Sequence, residues 1–367
     1  MVQALDQAGA EVDWAYWPKD LKTFIVDWNS GSDSKWRSNV LWFDYLRAYT
    51  SETPPLQACT FSTLQVPIAP LVSSDMHAGT LVDFLRGHFS HTDTHAIAGV
   101  IQLFANSFAH FYADLGTTRK EVQLAVDIVS IEDAQKVTGE VKAFLSVAIS
   151  AFQSYYGGVD FGKLMRGRTI GVSDLIIDQI MHTKVHEILL QVYSAANASK
   201  EAVYQQKLKD LAGIQCSQLG IEPLFCIDQV RTHNSEPIGF TWAIDALREI
   251  ATATSPTAKL NVIITATRKI CECIDEYWKG TPQLPAQELV INADQILSIF
   301  VYITLKARVR NLMGHIFLVL EFVRTDIQQG SYGYYLATLE AAIEHILLLG
   351  ERVEGKGNES FFTCTGD

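Results

Sequence analysis

The chain has 367 residues, of which 48% are apolar and 19% charged, and 29 Lys and Arg against 41 Asp and Glu leave a formal net charge of −12. This composition is typical of a globular protein with enough chain to bury a large core, and it excludes a disordered chain or a disulfide-stapled miniprotein. Because affinity for a phosphate backbone comes from Lys and Arg that release counterions, the acidic balance argues against nucleic acid as a partner.

Sorting signals are not evident in the sequence. The first residues are polar and lack a basic segment followed by an apolar one, and no apolar run approaches the roughly 18 residues of a membrane span. The six cysteines are dispersed and fit no zinc-finger spacing, which is typical of free thiols in a reducing compartment. We therefore expect a cytoplasmic protein.

Residues 1–115 differ from the rest of the chain. Five of the seven tryptophans lie in the first 42 residues, and residues 53–70 are rich in Pro, Ser and Thr. We predict a separate aromatic-rich region of unknown role, and a module that engages a membrane or a partner is one interpretation. Its His91, Asp93 and His95 could share a face of a strand as metal ligands, but we predict a helix, on which i and i+2 diverge.

Residues 116–205 are predicted to form a helical bundle. Apolar residues from Val137 to Ala148 recur at helical spacing, and a second amphipathic helix is predicted to begin after Ser173 as its N-cap and to run through Val192. This helix carries His182 and His186 four residues apart. The pair lacks the glutamate beside the first histidine that a metalloprotease helix carries, so we interpret both as ordinary histidines.

The strongest helix starts lie in residues 206–353. Ser255 is predicted as an N-cap with Pro256 at the first helical position. Asn292 is predicted to cap the next helix, with Gln295 three residues on in a capping-box arrangement. This spacing places Asp294 in an exposed first turn, where it either complements the helix dipole or reaches a partner. The helix after Pro256 also carries Cys271 and Cys273, which we expect on diverging faces and not as a redox pair.

Three segments in this region resemble the vacuolar protein sorting nine (Vps-nine) domain family of Rab GTPase exchange factors. Residues 256–260, through to Ile274, are similar to its P-x-x-K-L-x-x-I helix, residues 293–297 to its S-A-D-x-L-L-P helix start, and residues 333–336 to its G-Y-Y-x-T helix. The three occur in the family's order and at its separations. The likeness covers roughly residues 242–349 and extends more weakly back towards residue 180.

The resemblance implies an all-α fold, with a layered helical exchange domain at 206–353 braced by the preceding bundle. The glycines of residues 354–367 predict a flexible tail after it. It implies a guanine nucleotide exchange factor that promotes GDP release from a Rab-five-class GTPase in endosomal transport. The protein would be recruited to early endosomes, with membrane association through its partner. It implies no cofactor or metal of its own, since Mg²⁺ and nucleotide belong to the GTPase.

The resemblance also assigns site residues. In this family the aspartate at the position of Asp294 is the acid inserted towards the nucleotide phosphates and Mg²⁺, and the tyrosine matching Tyr334 contacts the GTPase switches. Further positions assigned to partner binding are Ser298, Lys306, Asn311, Tyr335, Ala337 and Thr338. There are two alternative interpretations. Lys306 could lie on a solvated face, and Asn311 could fix the conformation of its loop.

Two departures from the family pattern bear on activity. Ser298 stands where the family has proline, and Ala337 where it has threonine. Thr338 lies one place late, and because one residue rotates a helical side chain by about 100 degrees, we do not expect it to substitute. Arg308 and Arg310 replace a stretch that usually contains Asn and prolines; they either retune the choice of Rab or solvate a loop.

Covalent chemistry is not supported by any motif. The sequence has no phosphate-binding loop of the form G-x-x-x-x-G-K-[ST], no G-x-S-x-G nucleophile elbow and no dinucleotide fingerprint. A regulatory exchange factor is therefore the leading hypothesis. The alternative is a catalytically weakened Rab-binding effector or scaffold in endosomal trafficking, which Ser298 and Ala337 would allow.

Overall fold

The computed structural model describes residues 96–113, 123–155, 171–227, 239–279 and 289–349. Within these ranges every regular element is a helix, and one isolated β-bridge joins Ala113 to Leu124. The predicted all-α class is confirmed, while the predicted bracing of one group of helices by the other stays a prediction. No helix in the described ranges is long and apolar enough to cross a membrane. Outside these ranges lie the predictions for the N-terminal tryptophans, for His91, Asp93 and His95, and for the tail at 354–367.

A bundle forms the first of two compact units, which ends at Ala196. Its described helices are α1 (Ala96–Tyr112), α2 (Ile131–Tyr155), α3 (Val172–Met181) and α4 (Lys184–Ala196). Each of these helices packs against the other three. The apolar stripe predicted for α2 lies inside the bundle, since Val137, Val141, Phe144 and Ala148 are buried.

The predicted start of the helix after Ser173 is wrong. Gly171 is the N-cap, with an extended backbone, and α3 begins at Val172. The cause is Asp174, whose Oδ2 accepts a hydrogen bond of 2.6 Å from the Gly171 N–H. This carboxylate satisfies a terminal donor that the predicted serine cap would have left unmatched.

The predicted single helix through Val192 is in fact two helices. At the break, Thr183 Oγ1 donates to Ile180 O over 2.6 Å and accepts from the Val185 N–H over 3.2 Å. One hydroxyl therefore closes α3 and opens α4. His182 is the exposed C-cap residue after α3, whereas His186 is buried within α4, so the two imidazoles do not share a helix.

The second compact unit begins at Asn197. Its helices are α5 (Ala198–Asp210), α6 (Thr241–Arg248), α7 (Pro256–Trp278), α8 (Ala293–Ala307), α9 (Leu312–Phe322), the short α10 (Thr325–Gln328) and α11 (Ser331–Leu348). Two 3₁₀ turns, Cys216–Leu219 and Glu249–Ala251, flank α6 in the chain. Because α5 packs against α11, its residues belong with this unit; the predicted limits 116–205 and 206–353 stay predictions.

Helix α8 is the central element of this second unit. It packs against α6, α11 and the 3₁₀ turn Cys216–Leu219. Every residue from Ile299 to Leu305 is buried, so this stretch is covered on all sides, as expected of a helix surrounded by others. Its first turn, by contrast, reaches the surface, where Ala293 and Asp294 are exposed. The core thus fixes the axis of α8, while the N-terminus of the helix is exposed to solvent.

The predicted cap of α7 is confirmed. Ser255 Oγ accepts a hydrogen bond of 3.2 Å from the Ala258 N–H, and Pro256 stands at the first helical position. The apolar face predicted for this helix is buried, including Leu260, Ile263 and Ile270. Local sequence signals therefore set where α7 begins and which face it buries.

Candidate functional site

The start of α8 is held by a cap. Asn292 has an extended backbone, and its Oδ1 accepts a hydrogen bond of 2.8 Å from the Gln295 N–H. This part of the predicted capping box is confirmed. Asp294 lies in the first turn of this 15-residue helix. Its carboxylate is therefore placed at the positive end of the helix dipole.

The second half of the predicted capping box is wrong. The Gln295 side chain is buried, and its Oε1 accepts a hydrogen bond of 2.9 Å from the backbone N–H of Glu222. In a capping box this group would turn back to the N-cap residue. Because Gln295 faces the interior, it binds the donor that a distant loop presents there.

Asp294 is exposed and unpaired. Within the described ranges, no cation lies within salt-bridge distance of its carboxylate and no side chain donates a hydrogen bond to it. Asp326, in the first turn of α10, is different, because Arg324 Nε lies 3.0 Å from its Oδ1 and lowers the pKa of that carboxyl. Of these two carboxylates, that of Asp294 is therefore free to meet a cation or phosphate site on another molecule.

The start of α11 presents a second candidate group. Tyr334 is 48% exposed, whereas Tyr335 is half-buried against the core. The two rings meet edge to face, with centroids 5.6 Å apart. Helix α11 packs against α8, so the elements that carry Asp294 and Tyr334 are direct neighbours.

Gly333 is required by packing. A Cβ at this position would lie 1.6 Å from the carbonyl oxygen of Gln328, a separation that no side chain tolerates. The glycine lets the end of α10 approach the first turn of α11 closely. It therefore fixes the segment from which Tyr334 projects, a structural role that the G-Y-Y pattern did not reveal.

Ala337 and Thr338 follow Leu336 in α11 and differ in their exposure to solvent. Ala337 is exposed, while Thr338 is buried and its Oγ1 donates a hydrogen bond of 2.8 Å to Tyr334 O. The hydroxyl of Thr338 is thus used within α11. The exposed position beside Tyr334 carries only a methyl group.

Lys306 and Asn311 lie towards the other end of α8. Twelve residues separate Lys306 from Asp294, about 18 Å along a helix. Lys306 Nζ donates to Ala212 O over 3.1 Å and lies 5.3 Å from the centroid of the Tyr302 ring. Asn311 has a left-handed backbone with φ of 54°, and its N–H donates to Glu201 Oε1 over 2.9 Å. Both therefore serve contacts within the unit, away from Asp294.

Ser298, Arg308 and Arg310 are the remaining predicted positions. Ser298 is half-buried, one turn after Asp294. Arg308 and Arg310 are both exposed in the turn between α8 and α9, where Arg308 adopts a left-handed backbone with φ of 53°. The carbonyls of Lys306 and Ala307 just before this turn accept hydrogen bonds from the Arg248 guanidinium, of 3.2 and 3.3 Å.

Comparison with known proteins locates a family within the second unit. Residues 240–351 match the family described as the vacuolar sorting protein 9 (VPS9) domain. The human VPS9 domain-containing protein 1 is 21% identical over 256 residues, covering 66% of this chain and 39% of that protein. The human ALS2 C-terminal-like protein is 21% identical over 275 residues, 72% of this chain and 27% of that protein.

A third relative matches a shorter segment. Alsin of Rattus norvegicus is 26% identical over 107 residues, 29% of this chain and 6% of that protein. The chain thus spans less than half the length of these relatives. Residues 240–351 match the VPS9 domain family, and the resemblance inferred from the three sequence segments is confirmed.

Proposed function

We propose that this chain is a guanine nucleotide exchange factor that promotes GDP release from a Rab-five-class GTPase. Its VPS9 domain supports exchange activity of this class in general terms. The observation that carries the proposal is the placement of Asp294, which is exposed and unpaired at the capped start of the central helix α8. Its position in the family motif is that of the inserted acid.

The mechanism follows from charge. A GTPase holds GDP through a P-loop lysine and Mg²⁺, which neutralise the phosphates. A carboxylate brought to that site repels the phosphates, competes for the lysine and disfavours Mg²⁺. Two like charges about 4 Å apart repel by about 4 kcal/mol at an effective dielectric constant of about 20. A repulsion of that size accelerates GDP release roughly a thousandfold.

The placement of the acid on α8 favours this mechanism. The helix is buried on all sides from Ile299 to Leu305, so insertion of its first turn into a partner needs no rearrangement of its own axis. Such pre-organisation lowers the entropy lost on forming the complex.

The exposure of Tyr334 supports the proposal that this surface binds a protein partner. An exposed aromatic ring with a polar tip suits the partly hydrated centre of an interface. Apolar contacts made by this ring would offset the cost of bringing Asp294 towards a negatively charged nucleotide. The helices that carry the two residues are packed together, which allows one partner to meet both.

The same proposal assigns the cell compartment. We expect the chain to act on the cytoplasmic face of early endosomes, held there by its membrane-anchored GTPase. The net charge of −12 favours recruitment through a protein over direct attraction to anionic lipid, since polybasic segments supply such attraction.

Affinity for the nucleotide states of the GTPase tests this function against the scaffold alternative. The full chain would be titrated against endosomal Rabs in nucleotide-free, GDP-bound and GTP-bound forms. An exchange factor binds the nucleotide-free form most tightly. Preference for the GTP-bound form would overturn the proposal in favour of an effector or scaffold, for which the methyl group of Ala337 is the supporting observation.

A further inference from the structure

The segment from Gly220 to Ile227 has a fixed shape. Gly220 adopts a left-handed backbone with φ of 69°, and the Phe225 N–H donates to Glu222 O over 2.8 Å, which closes a β-turn. Pro223 occupies the second position of that turn, where its restricted φ favours the conformation. Ile221, Phe225 and Ile227 are buried in the core. Their burial anchors the turn on both sides.

Two side chains of the second unit tie this turn to the neighbourhood of Asp294. Trp278 Nε1, at the end of α7, donates to Leu224 O over 2.9 Å. Gln295 Oε1, in the first turn of α8, accepts from the Glu222 N–H over 2.9 Å. The turn therefore links the last residue of the helix before α8 to the first turn of α8.

Gln295 forms hydrogen bonds through both its backbone and its side chain. Its N–H donates to Asn292 Oδ1 over 2.8 Å, and its buried side chain accepts from Glu222. First turns of helices commonly fray, because their N–H groups lack partners within the helix. The two bonds oppose fraying at the residue that follows Asp294 in the chain.

We infer that Gln295 is a positioning residue for Asp294, acting through its hydrogen bond to the Glu222 N–H. The inference rests on the proposed exchange function and deepens it. The bond fixes the first turn of α8 against a rigid loop, so that the carboxylate of Asp294 is aimed before the GTPase arrives. Without the bond the acid is still present, but it samples orientations that miss the phosphate site.

The test is a double-mutant cycle in the full chain, with Gln295→Met alone and on an Asp294→Ala background. Methionine keeps the length and helix propensity of glutamine but removes the acceptor. Release of fluorescent GDP would be followed over a range of concentrations of a Rab that the wild type activates. We expect Gln295→Met to lower the maximal rate about tenfold, the effect of about one hydrogen bond, with the half-saturating concentration changed less than about twofold.

On the Asp294→Ala background, Gln295→Met should lower the rate no further, because a residue that acts only through Asp294 has nothing left to orient. A purely structural role would reduce the rate on both backgrounds. Gln206→Met is the matched control, since Gln206 Nε2 donates a bond of similar length, 2.8 Å, to Asp210 Oδ1 on the exposed side of α5. It should leave the rate unchanged.

The possible outcomes distinguish a failure of the inference about Gln295 from a failure of the proposed exchange function. If the wild type accelerates no Rab, the proposed function and the inference both fail. If the wild type is active and Asp294→Ala is not, a Gln295→Met rate equal to wild type overturns the inference alone. An equal loss on both backgrounds overturns it too.

A second variant covers the case in which Gln295→Met does not fold. Trp278→Phe removes the indole donor to Leu224 O at the other anchor of the turn while keeping an aromatic ring. We expect the maximal exchange rate to fall about threefold, since the turn is loosened but Gln295 keeps its partner. An unchanged rate in a folded Trp278→Phe protein would overturn the inference.

Discussion

Lys259 Nζ lies 3.0 Å from His315 Nδ1, and the two side chains are 0% and 2% exposed. The ammonium group also donates to Ile250 O, over 3.0 Å, and to Ala253 O. The ammonium group of Lys259 on α7 thus meets three acceptors, one on α9 and two in the chain that joins α6 to α7. Burial nevertheless lowers the pKa of Lys259 from 10.5 to about 7, because the interior disfavours the charged form.

Removal of this ammonium should destabilise the second unit. Lys259→Met takes the donor away from two carbonyls and from His315, and we expect the free energy of unfolding to fall by about 2 kcal/mol. Lys269→Met is the control on the same helix, because Lys269 lies near the surface in an ion pair with Glu272. We expect Lys269→Met to lower the free energy of unfolding by about 0.5 kcal/mol or less.

The pH dependence of Lys259 gives an independent check by denaturant unfolding. A base with a lowered folded pKa binds fewer protons when folded than when unfolded, so stability rises with pH between about 7 and 10.5. The contribution is at most about 1.4 kcal/mol per pH unit. Lys259→Met should lack this rise, and an identical slope in the two proteins would contradict the assignment.

A buried carboxyl in the bundle predicts the opposite pH dependence, a stability that falls as pH rises. Glu140 is 5% exposed, its Oε1 accepts a 2.7 Å hydrogen bond from Tyr112 Oη, and its buried Oε2 has no hydrogen-bond partner among the described residues. Burial raises the pKa of Glu140 to about 7 and also raises that of Tyr112. An acid with a raised folded pKa keeps its proton when folded, so stability is lost as pH rises from about 4.5 to 7.

Glu140→Gln should remove that loss. Glutamine keeps an acceptor for Tyr112 and carries no charge, so we expect the variant to be more stable than wild type by roughly 2 kcal/mol at pH 8 and similar to it at pH 5. Denaturant unfolding across this pH range measures the difference. A stability difference between Glu140→Gln and the wild type that does not grow between pH 5 and 8 would contradict the prediction.

The two adjacent tyrosines should separate binding from folding. Tyr334 is exposed, so we expect Tyr334→Ala to weaken affinity for the nucleotide-free Rab about tenfold while changing stability by about 0.5 kcal/mol or less. Tyr335 packs against the core, and Tyr335→Ala should lower the unfolding free energy by more than about 1 kcal/mol. Titration calorimetry and thermal unfolding report the two effects. Unchanged Rab affinity in Tyr334→Ala would contradict its assignment to the interface.

Ala337→Thr should strengthen exchange. Position 337 is exposed one turn from Tyr334, and the family's threonine would add a polar contact of about 1 kcal/mol, a several-fold gain in rate. The control is Ala341→Thr, since Ala341 is exposed one turn further along the same helix. A gain from both substitutions, or from neither, would contradict a specific role for position 337.

Local sequence signals predicted much of the fold. The caps at Ser255 and Asn292, the apolar faces of α2 and α7 and the exposure of Asp294 depend on neighbours in the chain, and the structure has each of them. The break after Met181 was missed, because a threonine hydroxyl that ends one helix and starts another interrupts no apolar pattern.

Contacts between distant residues could not be predicted in this way. The partner of Gln295 lies 73 residues away, and the partner of Lys259 lies 56 residues away. Spacing alone suggested a reciprocal capping box for Gln295. Which donor the buried amide oxygen of Gln295 meets is decided by the tertiary packing of the loop at Glu222, and no local pattern carries that information.

Release of fluorescent GDP from a panel of endosomal Rabs, with Asp294→Asn beside the wild type, tests the proposed insertion most directly. Asparagine keeps the shape of the side chain and removes its charge, and Asp326→Asn is the control for loss of an acid in a helical first turn. We predict that the wild type and Asp326→Asn accelerate release from at least one Rab, and that Asp294→Asn is slower by about tenfold or more at unchanged thermal stability. Equal rates for Asp294→Asn and the wild type would contradict the inserted carboxylate, and no acceleration of any Rab by the folded wild type would contradict exchange activity itself.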